Sequence, residues 1–249
     1  MSAIAVRTVH DRDAVTAAPS PAPLAGFLAS LTPSESDDLL RCGRPRRFAR
    51  GAIIVEEGEH ARRVAAILTG RVKVSCFSDD GREIVLGALG PGDLIGELSA
   101  LDDEPCSATV TTLETVEALV LSPTTFIAFL DTHPRVTRAL LGMVTQKLRD
   151  ADRKRVEFGT HDTEGRVARR LVELAQQYGS DTQGPVRITL PLSQQELAGW
   201  TCSSREAVSK ALRSLRACGW VETHRRSITV LDSAALGRRA GLSARTSRP

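Results

Sequence analysis

Long apolar runs are absent from this 249-residue sequence, since no window approaches the ~18 uninterrupted apolar residues of a membrane-spanning helix. The N-terminal stretch MSAIAVRTVHDRDAV is interrupted by charges where a signal peptide needs a continuous apolar segment. These absences predict an untargeted, cytoplasmic protein with no membrane partner.

Cysteine pairs with metal-binding spacing are also missing. The five cysteines are odd in number, and no two of them are spaced as C-x-x-C. The sequence therefore gives no basis for a tetrathiolate zinc site or a clustered iron–sulfur site. We expect no metal site and five reduced, mostly packed thiols. They are Cys42, Cys76, Cys106, Cys202 and Cys218.

Catalytic signatures are absent as well. The sequence contains no Ser/His/Asp arrangement, no metal motif and no glycine-rich triphosphate loop, and its five histidines are scattered. We therefore expect no catalytic residues and a protein that is not an enzyme.

Charge is plentiful, but it is distributed unevenly. The residues from His161 to the end carry 14 Lys and Arg against 8 Asp and Glu, whereas the remainder carries 19 against 22. A basic C-terminal third beside a mildly acidic body suggests a polyanionic partner for that third, and a solvated basic face is the alternative.

The N-terminal half predicts two short helices followed by a β domain. The helices are expected from Pro23 to Leu31 and from Pro33 to about Cys42, the second capped by Thr32. From Arg46 to Ser122, short alternating runs are separated by glycines, which is typical of an antiparallel sandwich or barrel. Asp79-Asp80-Gly81 between two such runs predicts a hairpin turn.

A long helix is predicted to follow Pro134 and to end near Phe158. Apolar residues recur in it at positions 136, 140, 143/144, 148 and 151, while RDADRKRVE crowds its other face with charge. Such a helix either covers the sheet or pairs with its own copy. The narrow stripe, close to a heptad seam, favours a coiled-coil homodimer.

The stretch LSQQELAGWTCSSREAVSKALRSLRACGWVETHRRSITVLD is the most informative in the chain. Ser193 and Glu196 form a capping box at the start of one helix, which breaks around Gly199 to Cys202. Ser203 or Ser204 caps a second helix. Its buried stripe is expected to be Val208, Ala211, Leu212 and Leu215. Two short helices, followed by strands WVET and SITV around HRR, predict a winged helix-turn-helix.

The outer face of the second helix carries side chains suited to double-stranded DNA. They are Ser204, Arg205, Glu206, Ser209, Lys210 and Arg213. Arg205 lies in the first turn, from which a guanidinium can pair bidentately with guanine, and Glu206 can accept from cytosine. In the wing, Arg225 and Arg226 are candidates for phosphate contacts, which position the protein without specifying sequence.

Taken in this order, several motifs resemble the CRP/FNR family of bacterial transcription regulators over roughly residues 24–232. They are the glycine-punctuated strands, GDLIGELSAL, the long helix, a D-x-x-GR junction at Asp162–Arg166 and SSREAVSKAL. The resemblance implies an α+β fold with an N-terminal antiparallel, jelly-roll β-barrel like those that bind cyclic nucleotides, a dimerisation helix and a C-terminal winged helix-turn-helix.

The same resemblance implies how the chain works and how it is divided. It implies a homodimer that binds a TGTGA–TCACA-like palindrome and acts with RNA polymerase. Arg205 and Glu206 would contact the G·C pairs, and Lys210 stands where the family often has Arg. The segments expected are a disordered tail at 1–22, an effector domain at 23–133, a dimerisation helix and hinge at 134–160, a DNA-binding domain at 161–236 and a basic tail at 237–249.

The resemblance also implies an effector pocket, but an altered one. Gly96, Glu97 and Ser107 match residues that hold the ribose and phosphate of cAMP, whereas Cys106 replaces the phosphate-binding arginine. Ala151 and Asp152 replace the Thr and Ser that contact adenine. The other candidate pocket residues are Leu98 and Lys147. We therefore expect no certain cofactor, and a regulator that is either cAMP-independent or gated by another nucleotide-type ligand.

Two alternatives remain open. Cys106 could be a redox or metal/haem-ligating sensor thiol, although acidic neighbours oppose formation of a thiolate. The chain could also be a small-molecule-binding regulatory module that acts through protein partners, its DNA-binding half being vestigial.

Overall fold

The computed structural model of the chain describes residues 26–179, 184–190, 193–224 and 227–242, and within 156–160 the backbone alone. These residues form two compact units. The first comprises residues up to 72 together with 89–143, and the second comprises 73–88 together with the chain from 144 onwards.

Helices and strands alternate along the chain. The helices are α1 (Gly26–Ala29), α2 (Pro33–Cys42), α3 (Glu97–Asp102), α4 (Pro123–Thr132), α5 (Pro134–Thr160), α6 (Thr163–Tyr178), α7 (Gln194–Trp200), α8 (Arg205–Ala217) and α9 (Ser233–Arg239). The strands are β1 (Arg44–Phe48), β2 (Ile53–Val55), β3 (Val64–Thr69), β4 (Val72–Phe77), β5 (Glu83–Leu89), β6 (Leu94–Ile95), β7 (Thr109–Thr112), β8 (Val116–Leu121), β9 (Val186–Arg187), β10 (Val221–His224) and β11 (Ser227–Val230).

The first unit is built on antiparallel strands. β1, β8, β3 and β6 lie side by side in one sheet, with Arg44 opposite Val120 and Val64 opposite Leu121. β2 pairs with β7. The alternating runs of the sequence therefore form an antiparallel β domain, as expected.

The core of the first unit joins this sheet to its helices. Its buried side chains are Phe27, Leu39, Val64, Ala66, Leu94, Leu119, Leu121, Phe126, Phe129, Leu130, Val136 and Leu140. The start of α2 is fixed by local chemistry: the Glu35 amide donates to the Thr32 hydroxyl, and the Thr32 amide donates to the Glu35 carboxylate at 2.7 Å. The predicted cap at Thr32 is confirmed.

The second unit begins with the β4–β5 hairpin. The amide of Gly81 donates to the carbonyl of Ser78 at 2.8 Å, and the amide of Ser78 donates to the carbonyl of Arg82 at 3.0 Å. Gly81 has a φ of +75°, which the turn requires and glycine adopts without strain. The hairpin turn predicted at Asp79-Asp80-Gly81 is confirmed.

The rest of the second unit packs α6, α7, α8 and α9 with a three-stranded sheet in the order β10-β11-β9. The buried side chains of this region include Val167, Leu171, Leu174, Leu197, Val208, Leu212, Leu215 and Ile228. β10 and β11 pair antiparallel, with Val221 opposite Val230. The helix-turn-helix and the two strands of the wing are thus present where the sequence indicates them.

The structure differs from the expectations at several element ends. VRITLP forms a strand only at Val186–Arg187, and α5 runs to Thr160. A ninth helix, α9, enters the segment expected to be a basic tail from 237. It forms because the Asp232 side chain caps it by accepting from the Ala235 amide at 2.8 Å, and because Leu236 and Ala240 are fully buried. The tail at 1–22 and residues 243–249 lie outside the described residues.

The apolar side chains of α5 are buried near its N-terminal end and exposed further along the helix. Val136 and Leu140 are buried in the core of the first unit, whereas Leu141 and Leu148 are 65% and 61% exposed. The apolar stripe expected at 136, 140, 143/144, 148 and 151 is therefore divided, because Val136 and Leu140 at its N-terminal end pack into the core of the first unit. Within the described ranges, no helix has the length and apolarity needed to cross a membrane.

Candidate functional site

The first helix of the helix-turn-helix begins at a reciprocal cap. The Glu196 amide donates to the Ser193 hydroxyl at 3.1 Å, and the Ser193 amide donates to the Glu196 carboxylate at 2.7 Å. Two amides that the helix leaves without partners are satisfied in this way, and the predicted capping box is confirmed.

The turn between α7 and α8 comprises Thr201, Cys202 and Ser203. Cys202 has a φ of +44°, in the left-handed region that disfavours residues with a side chain. The amide of Ser203 donates back to the carbonyl of Ala198 at 3.1 Å. The turn is therefore tight and strained at its middle residue.

The second helix, α8, starts at Ser204, whose hydroxyl accepts from the Ala207 amide at 3.2 Å. Of the two serines that the sequence offers as caps, Ser204 is the one used. The buried stripe of α8 consists of Val208, Ala211, Leu212 and Leu215, as predicted.

The opposite face of α8 is open to solvent. Ser204, Arg205, Glu206, Lys210 and Arg213 are exposed, and Ser209 is half-buried. Hydrogen bonds from its own backbone amide and from the Ser204 hydroxyl lower the pKa of Glu206 below its ordinary value. Glu206 is therefore ionised at neutral pH and presents acceptors beside the Arg205 guanidinium.

The wing lies next to this helix in the fold. His224 at the end of β10 is opposite Ser227 at the start of β11, so only residues 225 and 226 connect the two strands. Arg225 and Arg226, the predicted phosphate contacts, lie outside the described residues.

Arg216 of α8, which the sequence did not single out, connects α8 to β10. Its guanidinium donates to the Thr223 hydroxyl at 3.3 Å.

The junction at Asp162–Arg166, which the sequence marks only by its resemblance to the family, lies at the start of α6. The Asp162 carboxylate accepts from the Gly165 amide at 2.8 Å and so caps α6. The Arg166 guanidinium donates to the carbonyl of Thr201 at 2.9 Å and to the hydroxyl of Ser203 at 3.0 Å. The junction therefore touches the turn of the helix-turn-helix.

The candidate effector residues of the first unit surround the start of α3. Gly96 has a φ of +77°, and a Cβ there would lie 2.6 Å from the Arg63 carbonyl, so only glycine fits. Glu97 is 4% exposed, whereas Leu98 and Ser107 are exposed.

Cys106 is 8% exposed and is held by its backbone. Its amide donates to the Glu59 carbonyl and its carbonyl accepts from the Gly58 amide, both at 2.9 Å. Burial raises the pKa of the Cys106 thiol, and the charges of Glu59 and Glu97 act in the same direction, although a hydrogen bond with Ser99 opposes them. The thiol is therefore neutral at pH 7, which disfavours the sensor-thiolate alternative.

The other candidate pocket residues lie on α5 within the second unit. Lys147 is half-buried, and Ala151 and Asp152 are exposed. The Asp152 carboxylate lies 3.7 Å from the guanidinium of Arg155 on the next turn. No disulfide joins any of the five cysteines, but the expectation that they are mostly packed is wrong, since Cys42, Cys202 and Cys218 are exposed. The described residues contain no group of three or more His, Cys, Asp or Glu arranged to hold a metal.

Comparisons with known proteins agree with this architecture. The cyclic nucleotide-binding domain model matches residues 45–133, and the Crp-like helix-turn-helix domain model matches residues 165–239. The CRP-like cAMP-activated global transcriptional regulator of Mycobacterium tuberculosis H37Rv is 34% identical over 216 residues, which cover 87% of this chain and 96% of that protein.

Two proteins of Thermus thermophilus are similar over most of their length. The transcriptional regulator LdrP is 34% identical over 198 residues, which cover 79% of this chain and 96% of LdrP. The crystal structure of TTHB099, a CRP-family transcriptional regulator, has a TM-score of 0.68 and 30% identity, and covers 82% of this chain and all of that one. These relatives are transcription regulators, which agrees with the expectation that the chain is not an enzyme. Matches of this extent to both domains show that the chain belongs to the CRP/FNR family of transcription regulators.

Proposed function

We propose that the protein is a homodimeric transcription regulator that reads a TGTGA–TCACA-like palindrome. The observation that carries this proposal is the exposed face of α8. Arg205 and Glu206 lie side by side in its first turn, and Lys210 lies one turn further on. A guanidinium pairs with guanine O6 and N7, and a carboxylate accepts from the cytosine amino group, so the pair suits the G·C steps of that half-site.

The palindrome requires two copies of the reading helix, and α5 offers the surface for pairing. Leu141 and Leu148 are seven residues apart, lie on one side of the helix and are mostly exposed. On the same stripe, Val144 lies three residues after Leu141, and Ala151 lies three residues after Leu148. Pairing of this stripe with a second copy would bury it and would separate two reading helices by about one DNA turn, roughly 34 Å.

The effector half supports control that does not depend on cAMP. The M. tuberculosis relative is named as a cAMP-activated regulator. A cyclic phosphate needs a cation opposite it, yet residues 96–107 contain no Lys or Arg and four acidic residues. Buried Cys106 stands at the arginine position with a neutral thiol.

Loss of the arginine would weaken cAMP binding strongly. A hydrogen bond between charged groups contributes ~1.5–3 kcal/mol, so its loss lowers affinity by about tenfold to over a hundredfold. By the family resemblance, Asp152 takes the place of an uncharged residue that contacts adenine, and an added carboxylate would disfavour an anionic ligand. The protein therefore either binds its operator without a ligand or responds to a nucleotide-type ligand other than cAMP.

RNA polymerase is the protein partner that we propose for this regulator. β1 is the end strand of its sheet and presents exposed Arg44, Arg46 and Arg47. A basic strand edge resists pairing with other strand edges and suits an acidic protein surface. A regulator that binds chromosomal DNA and polymerase would work in the cytoplasm, where both are found.

Fluorescence anisotropy on a TGTGA–TCACA duplex and a scrambled duplex at ~150 mM salt tests the DNA-reading role. We expect Arg205→Ala to lose ~1–3 kcal/mol of discrimination between the two duplexes. Arg50→Ala is the matched control, because it removes the same charge from an exposed position in the first unit. Equal weakening on both duplexes by Arg205→Ala would contradict the assignment of Arg205 to base reading.

A further inference from the structure

Arg166 donates several hydrogen bonds near the turn of the helix-turn-helix. Its Nε donates to the Thr201 carbonyl at 2.9 Å, and its Nη2 donates to the Ser203 hydroxyl at 3.0 Å. Its Nη1 donates to the carbonyl of His161 at 2.7 Å. One guanidinium thus connects the start of α6 to a turn 35 to 37 residues later in the chain.

The Thr201 carbonyl is an acceptor that needs such a donor. Thr201 is the C-terminal cap of α7 and is 1% exposed, so water is kept from most of it. Carbonyls at a helix C-terminus lack intrahelical partners and carry the negative end of the helix dipole, which favours a cation there. Besides Arg166, the hydroxyl of Ser203 donates to the same oxygen at 3.0 Å.

The backbone conformation of the turn is also unfavourable by itself, so contacts from outside the turn must stabilise it. Cys202 stands between the two residues that Arg166 contacts and has a φ of +44°. A non-glycine residue persists in this region only when its surroundings determine the conformation. Arg166 fixes the residue on each side of Cys202, which is the arrangement that such strain requires.

The end of this turn sets the position of the reading residues. Ser203 is followed directly by the cap residue Ser204 and then by Arg205 and Glu206. Groups that read base edges must be held within about 0.5 Å of their productive geometry. A shift of the turn would therefore displace the side chains of Arg205 and Glu206 before those of later residues in α8.

We propose that Arg166 is a positioning residue for sequence reading, because it holds the turn from which the first residues of α8 reach DNA. This inference rests on the proposed DNA-reading role of α8. Arg166 is half-buried and points its donors at protein oxygens, so it acts through the turn and does not contact phosphate.

The test compares Arg166→Lys with the wild-type dimer on operator and scrambled duplexes. Lysine keeps the charge, but one ammonium cannot span the carbonyls of Thr201 and His161 together. We expect operator affinity to fall at least about tenfold, scrambled-duplex affinity to change less than about threefold, and the salt dependence to stay unchanged. Arg169→Lys is the matched control, since Arg169 lies one turn along α6 and pairs with Glu173.

A second variant keeps the test valid if Arg166→Lys lowers stability. Ser203→Ala removes one acceptor of Arg166 and leaves the guanidinium in place. In a double-mutant cycle, the losses of discrimination from Arg166→Lys and Ser203→Ala should be less than additive, because both act on one turn. Amide hydrogen exchange should rise at residues 202–207 in both variants while circular dichroism stays native.

The outcomes separate the two proposals. Absence of operator preference in the wild type, both alone and with cyclic nucleotides present, would overturn the DNA-reading role itself. A specific wild type together with an equally specific Arg166→Lys variant would overturn the positioning role alone. Equal loss on both duplexes would also overturn it, because such a loss indicates a phosphate contact or unfolding.

Discussion

The carboxylate of Asp162 lies 2.6 Å from the guanidinium of Arg239, which joins the start of α6 to the end of α9 across 77 residues. The same guanidinium donates through Nε to the Glu164 carboxylate at 2.8 Å. Asp162 also caps α6, so a single ion-pair cluster fixes both the helix start and the C-terminal helix. The end of the described chain is thus part of the DNA-binding fold.

Arg239→Ala should destabilise the second unit. The side chains of Arg239 and Glu164 are about 30% exposed and that of Asp162 more so, which limits the loss to about 1 kcal/mol. Thermal unfolding should show a melting temperature lower by about 2–4 °C. Arg238→Ala, on the exposed side of the same helix, is the control and should leave the melting temperature unchanged.

His133 should make the stability of the first unit depend on pH near neutrality. Its Nδ1 donates to the Phe129 carbonyl at 2.8 Å and its Nε2 donates to the Asp38 carboxylate at 3.1 Å, and these two partners raise the pKa of His133 above its ordinary value. The raised folded-state pKa means that protonated His133 stabilises the fold. That stabilisation is fully present below about pH 6.5 and is lost as the pH rises through the raised value.

Denaturant unfolding at a series of pH values from about 5.5 to 8.5 measures this effect. The wild type should lose stability across the range, and His133→Asn should lose less. His60→Asn, at an exposed position of the same unit, is the matched control. A slope unaltered by His133→Asn would show that His133 is not its source.

Leu148→Lys should dissociate the proposed dimer. A charge placed in an apolar helix seam must be buried without a partner or keep the helices apart. Sedimentation velocity should shift from dimer toward monomer, and binding to the palindrome should weaken. Gln146→Lys adds the same side chain at an exposed position two residues away and should remain dimeric. A Leu148→Lys dimer with unaltered sedimentation would place the interface elsewhere.

Local chemistry in the sequence predicted much of this fold. The capping boxes at Thr32 and Ser193, the turn at Gly81 and the buried stripe of α8 each involve residues within a few positions of one another. Such features can be inferred from spacing alone because the partners that satisfy each group are close along the chain.

Features that depend on distant partners could not be predicted in this way. The break expected around Gly199 to Cys202 is present, but Gly199 itself is still helical, since α7 continues to Trp200. Gly199 is instead a packing position: a Cβ there would lie 2.9 Å from the Glu83 carbonyl in β5. The contacts of Arg166 with the turn and of Arg239 with Asp162 also join segments far apart in sequence, and no local pattern reports them.

The most direct test of the central claim is anisotropy of the wild-type protein on the TGTGA–TCACA duplex, with the scrambled duplex as reference, in the absence and presence of excess cAMP. We predict that excess cAMP leaves binding to both duplexes unchanged, because Cys106 replaces the arginine that would face the phosphate. Specific binding that appears only with cAMP would contradict the account, since it would show that the replacement of the arginine by Cys106 does not prevent cAMP from acting.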